Sequence, residues 1–288
     1  MLHPRVRGLL AAALLIGAFA VLYRSVLPRL VHDWATDDNY SHGFVVVPLA
    51  VYFAWQRRRQ LAQATRSPSV IGLLIVVASI GVLGAGVLGS EFFLTRVSIL
   101  GVLAGTVIFM AGWEHLSILA FPIAFLLLMI PIPAIVFNQL AFPLQLVASR
   151  FGEAVLTTLG VPVLREGNVI TLATTSLEVA EACSGIRSLI SLSTVAIVYG
   201  YFLESRVWVR IALALAAIPV AIVANGVRVA GTGLTAHYFG AEAAEGFFHS
   251  FSGFLVFLVA FLLLLIIHRL LEWSVPARGR HANSRGAA

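Results

Sequence analysis

The chain has no lysine: all 19 of its basic residues are arginine. That excludes chemistry that rests on a lysine amine, either as a Schiff-base former or as a desolvated base. Cysteine occurs once in 288 residues, as Cys183. One thiol excludes an intramolecular disulfide and the paired-cysteine spacings of zinc sites. Charge is also scarce, at 11% of residues against 60% hydrophobic, with a mean hydropathy of +0.97. Soluble domains carry roughly a quarter charged residues, so this composition implies a polytopic membrane protein.

Crossing a hydrocarbon core of about 30 Å takes roughly 20 helical residues. Apolar runs of about that length lie at 8–29, 42–56, 69–89, 92–112, 115–132, 184–203, 208–229 and 250–271. The expectation is an all-α membrane protein of about eight transmembrane helices. With the N-terminus inside, twelve of the 19 arginines fall on cytoplasmic segments, where only Glu114, Glu204 and Glu272 are acidic. The positive-inside bias therefore predicts both termini in the cytoplasm. The opening stretch has a basic start but no small-residue cleavage site before Arg24, so it reads as the first helix and not as a leader. Residues 1–275 read as a single transmembrane domain and 276–288 as a disordered cytoplasmic tail. A pI of about 10.2 belongs to these topology signals, and no nucleic-acid motif accompanies it.

The segment at about 133–183 falls on the outer side. Its first half, "AIVFNQLAFPLQLVASRFGEAVLTTLG", repeats apolar residues at helical spacing with Asn138, Gln139, Arg150 and Glu153 interspersed. It predicts an amphipathic helix at the membrane interface. "VPVLREGNVITLATTSLEVAEACSG" is rich in Val, Thr and Ile around a Gly-Asn pair, which predicts a small hairpin before helix six. This hairpin delivers Cys183 to the outer mouth of that helix.

A helix starting near Ser184 would set the thiol at its N-terminus with Arg187 one turn along, and both lower a thiol pKa. Against this, a lone cysteine is commonly inert packing. Arg228, in "ANGVRVAGTG", follows Asn225 by one turn. An arginine near a helix end can snorkel to the interface, whereas one beside Asn225 and glycines can face a pocket. His249 directly precedes helix eight, as a helix cap or as a base kept neutral by the helix N-terminus. Cys183, Arg228 and His249 thus come from the outer ends of helices six, seven and eight. Arg187 and Asn225 are supporting candidates, with an interfacial anchor and an interhelical hydrogen bond as their structural readings. Tyr40 and His42 in "DDNYSHG" are read as lining a substrate entrance or as a polar cap, and Gly101 with Gly105 as a close-packing helix pair.

At these residues "EACSGIRSL", "NGVRV" and "HSFSGF" resemble the three motifs of the exosortase and archaeosortase family of membrane cysteine transpeptidases. "DDNYSHGFVVVPLAVYFAW", "MIPIP" and "REGNVITLATTSLEVAEACSG" are similar to further segments of bacterial exosortases, so the likeness runs from about residue 37 to 253. The resemblance puts the family's nucleophile on Cys183, its arginine on Arg228 and its third polar residue on His249. It implies exported substrates with a C-terminal Pro-Glu-Pro sorting signal, a link to exopolysaccharide production, and a bacterial inner-membrane location with the active site facing outward. Membrane lipids are implied neighbours, and a separate accessory protein could supply the extra C-terminal domain that some members carry. No cofactor is expected, and one cysteine with scattered histidines offers no metal-ligand spacing. A transporter lined by Arg96 and Arg228 is the reading from another class, although no internal repeat supports it. A noncatalytic scaffold for polysaccharide assembly is a third.

Overall fold

The computed structural model describes residues 4–173, 175–179, 185–240, 242–243 and 247–274, with backbone only at 4–5, 7–9, 247–252 and 274. Cys183 and the 276–288 tail lie outside the described residues, and His249 is described by its backbone alone. The chain divides into two compact units, Met1–Ala134 and Ile135–Ala288.

The first unit opens with α1 (Pro4–Leu22) and α2 (Val26–Thr36). The sequence predicts one continuous span here, but the two axes bend by 69°. Pro28 explains the break. In a continuous helix its ring would press on the carbonyl of Arg24 and leave that acceptor without a donor. In the first turn of α2 its missing N–H costs nothing. Next come α3 (Gly43–Gln56), α4 (Arg58–Gln63), α5 (Val70–Leu88), α6 (Phe92–Ala111), α7 (Trp113–Phe125) and a 3-10 turn at Leu126–Met129. The α5–α6 hairpin is the tightest contact. A Cβ on Gly72 would sit 2.2 Å from the Phe109 nitrogen, and one on Gly101 would sit 2.2 Å from Ser79 Oγ. Gly105 lies against Gly72 in the same way, with 2.8 Å to its carbonyl oxygen. These glycines let two backbones meet where lipid supplies no hydrophobic drive for helix association.

The "DDNYSHG" and "MIPIP" segments are bonded to each other. Trp34 Nε1 donates to the Met129 carbonyl at 2.9 Å, His42 Nε2 meets the Leu128 carbonyl at 2.9 Å, and the Ile132 N–H donates to the Tyr40 hydroxyl at 3.2 Å. Gly43 allows this closure, because a Cβ there would fall 2.4 Å from the Trp34 indole nitrogen. Backbone groups freed by Pro131 and Pro133 thereby find partners, which an apolar environment requires. These bonds tie Tyr40 and His42 to the Leu128–Ile132 segment, which neither sequence reading foresaw: His42 stands at the N-cap position of α3 but makes no side-chain capping bond there.

The second unit starts with α8 (Ala134–Thr158) and a three-stranded antiparallel meander: β1 (Val163–Glu166), β2 (Val169–Leu172) and β3 (Ser176–Glu178). Gly167, at φ +64°, turns β1 into β2, as two-residue hairpin loops require. The expected hairpin gains a third strand in "SLE", too short to stand out by alternation. α9 (Ile186–Leu203), α10 (Val207–Phe239) and α11 (Phe247–Ser274) follow. They pack around Leu192, Ala196, Val209, Leu213, Ala217, Ala260 and Leu264. α8 meets α10 through small residues: Gly152 against Val229, Gly226 against Phe151 and Gly233 against Leu156. The meander closes this end with Ile170, Leu172 and Val179 beside Leu156, Val229 and Ala236.

Among the described residues five helices are long and apolar enough to cross a membrane, or up to seven if each bent pair is one span. The sequence reading of about eight counted α3, whose 14 residues reach only about 21 Å. α10 departs in the other direction. Its 33 residues extend about 50 Å, beyond a hydrocarbon core of about 30 Å, so the span predicted to stop at 229 continues ten residues further.

Candidate functional site

The longer α10 changes the setting of Arg228. This residue lies eleven positions before the end of the helix, not at its mouth, so the arginine is not a terminal snorkel. Arg228 is half-buried, its Nε is shielded from solvent, and its carbonyl accepts from Thr232 Oγ1 at 3.0 Å. Its guanidinium faces α11: a Cβ on Gly253 would lie 3.6 Å from both Cζ and Nη2 of Arg228. Glycine at 253 therefore leaves room for the planar group against the neighbouring backbone.

One turn earlier on α10, Asn225 is 3% exposed and faces the start of α9. A Cβ on Gly185 would fall 2.8 Å from Asn225 Cγ. Gly185 also sits at φ +80°, a left-handed conformation that costs an L side chain roughly 1–2 kcal/mol. Glycine at 185 thus meets two demands at once, a backbone reversal and contact with the Asn225 amide. A small cavity lined by Leu144, Gly185, Leu189, Ile222 and Asn225 opens at this contact.

The sequence expectation for Arg187 is altered by the same glycine. α9 begins at Ile186 with Gly185 as its N-cap, so the helical i, i+4 relation expected between 183 and 187 is not a property of α9. Arg187 stands half-buried in its first turn. His249 was expected directly before the last helix and instead lies inside the first turn of α11. Positions 249 and 253 are four apart on this helix, hence on one face.

The structure therefore brings Gly185, Asn225, Arg228 and Gly253 together from α9, α10 and α11. Gly185 and Gly253 were missed as site residues by sequence reasoning, though "CSG" and "FSG" were on view. Their signal was the absence of a side chain next to each candidate. Arg96, which the transport reading assigned to a pore, is 5% exposed and ion-paired with Asp33. That pairing neutralises a membrane-depth charge.

Comparison with curated proteins and with solved structures yields no match. The model of one protein family, described as transmembrane exosortase, matches residues 34–266, a stretch that takes in Cys183, Asn225, Arg228, His249 and every helix from α3 to α10. The chain is a multi-pass membrane protein and belongs to the transmembrane exosortase family.

Proposed function

We propose that the chain is a thiol transpeptidase that cleaves the Pro-Glu-Pro sorting signal of exported proteins and passes them to a cell-surface acceptor. Cys183 is the nucleophile. Its thiolate attacks the scissile carbonyl, forming a C–S bond, and the C–N bond then breaks to leave a thioester. Arg228 neutralises the oxyanion of the tetrahedral intermediate. His249 takes the thiol proton and returns it to the departing amine. An acceptor nucleophile then attacks the thioester and regenerates the thiolate. Arginine is unsuited to the proton-transfer role because its guanidinium is not deprotonated in proteins, which leaves that role to the histidine.

One observation carries this reading: the Arg228 guanidinium lies against Gly253 of α11 while Asn225, one turn away, lies against Gly185 of α9. Two peptide units hold Cys183 within about 7.6 Å of Gly185, Cα to Cα. His249 is one turn from Gly253. The three residues named by the family's motifs are thereby tethered to one buried contact. With both termini in the cytoplasm, this contact faces the periplasm, where an exported substrate arrives.

Since Cys183 is the sole thiol, a maleimide modifies a single position. Purified protein carrying one maleimide per chain is expected to stop cleaving a peptide with a Pro-Glu-Pro signal, and prior addition of substrate slows the labelling. Undiminished cleavage by fully alkylated protein would refute the thiol mechanism.

A further inference from the structure

The opposite end of the second unit holds a cluster that the transpeptidase reading does not use. Glu204 caps α9, and His268 and Glu272 stand one turn apart on α11. The side chains of Glu204 and His268 are both 5% exposed, and that of Glu272 is 33% exposed. His268 Nδ1 is 2.7 Å from the Tyr199 hydroxyl. The other ring nitrogen, Nε2, is buried without a hydrogen-bond partner among the described residues and is aimed between two carboxylates, 3.6 Å from Glu204 Oε2 and 3.8 Å from Glu272 Oε1. The three ligand atoms lie within 4.8 Å of one another.

We propose that Glu204, His268 and Glu272 bind one divalent transition-metal ion, of which zinc is the representative. The spacing carries the argument. A histidine bonded directly to a carboxylate closes to about 2.7–3.2 Å, and neither oxygen comes that near. Donors on a tetrahedral zinc at about 2.0–2.2 Å stand roughly 3.3–3.6 Å apart; the two histidine–carboxylate separations, 3.6 and 3.8 Å, come near this, and the two carboxylates, within 4.8 Å of each other, draw together on the ion. An imidazole that donates Nδ1–H to Tyr199 presents its Nε2 lone pair to the gap, which is how second-shell partners fix a ligating histidine. One imidazole nitrogen and two carboxylate oxygens are ligand types that zinc accepts, and the exposed edge of Glu272 gives the ion a way in.

Three arginines border the site. Arg206 Nε donates to Glu204 Oε1 at 3.0 Å and Arg206 Nη2 to Oε2 at 2.8 Å. Arg210 Nε reaches the Glu204 carbonyl at 2.6 Å, and Arg269 pairs with Glu272 at 3.1 Å. A carboxylate offers about four lone-pair sites, so Glu204 can hold Arg206 and still face the ion with the remaining pair on Oε2. The ion joins the end of α9 to α11, about 30 Å along α10 from Arg228. Sequence reasoning looked for cysteine and histidine pairs and passed over "HRLLE", whose i, i+4 histidine and glutamate share one helix face.

The test uses the full chain in detergent, stripped with a chelator and titrated with Zn(II), and with Co(II) for its visible ligand-field bands. The expected result is one equivalent bound with tetrahedral Co(II) bands. Glu272→Gln, isosteric and partly exposed, weakens binding at least about a hundredfold, and Tyr199→Phe weakens it about tenfold or more. Cys183→Ala leaves the titration unchanged, so this result does not depend on the transpeptidase reading. The proposal is overturned if the wild-type chain binds no stoichiometric ion, if Glu272→Gln binds as tightly as wild type, or if Cys183→Ala abolishes binding.

Discussion

Cys183→Ala leaves a tagged substrate ending in a Pro-Glu-Pro signal, apolar span and basic tail at its full precursor mass, while the variant itself accumulates in the membrane at wild-type level. The first expectation follows from covalent catalysis. Without the sulfur no thioester forms, and losses on the order of 10⁶ accompany removal of a nucleophile that acts as part of a unit. The second follows from size and environment, since cysteine and alanine are both small and the thiol is only a weak hydrogen-bonding group. Immunoblot mobility and intact mass of the substrate read the first, and a tag on the enzyme reads the second. A variant that vanished from the membrane would instead identify the thiol as packing.

Arg228→Ala lowers the processing rate about 10²- to 10³-fold, the loss of roughly 3–4 kcal/mol seen when one preorganised oxyanion donor is removed. Arg228→Lys recovers only part of this, because an ammonium restores the charge without the planar fork. Gly253 supplies a control that leaves the arginine in place. An added Cβ at 253 would meet Arg228 at 3.6 Å, ordinary van der Waals contact, so Gly253→Ala keeps most activity. Gly253→Leu drives a branched side chain into the guanidinium and approaches the loss seen in Arg228→Ala. Single-turnover cleavage of a signal peptide, with saturating enzyme, measures all four variants on one scale. Equal rates for Gly253→Leu and wild type would remove the α11 contact from the account.

Much of this architecture was legible because long apolar runs have only one common solution in lipid, a helix. α5, α6, α9 and α11 follow their predicted runs within a few residues at most ends. The sequence was misleading where a short-range conflict had to be settled by tertiary structure. Pro28 lies inside an otherwise apolar run, and hydropathy does not register the steric cost that splits α1 from α2. "AGTGLTAHYF" is too polar and glycine-rich to look like a span, yet it prolongs α10 because Leu156, Val161 and Ala236 give that end a core of its own.

The site shows the same division. Arg228, Asn225 and the motif around Cys183 stood out because polar groups within apolar runs are costly and therefore few. Gly185 and Gly253 did not, since their contribution is the space they leave for Asn225 and Arg228. Glu204 and His268 are 64 residues apart in sequence, and only the packing of α9 on α11 brings them together.

Excess enzyme mixed with a signal peptide, quenched in acid within the first turnover and digested with trypsin, tests the central claim most directly. Cleavage after Arg165 and Arg187 would release Cys183 in one peptide, 166–187, that holds no other thiol. The account predicts that this peptide gains the mass of the substrate's N-terminal fragment less water, and that hydroxylamine removes the addition. Substrate cut through a full turnover while peptide 166–187 keeps its unmodified mass at every time point would contradict it.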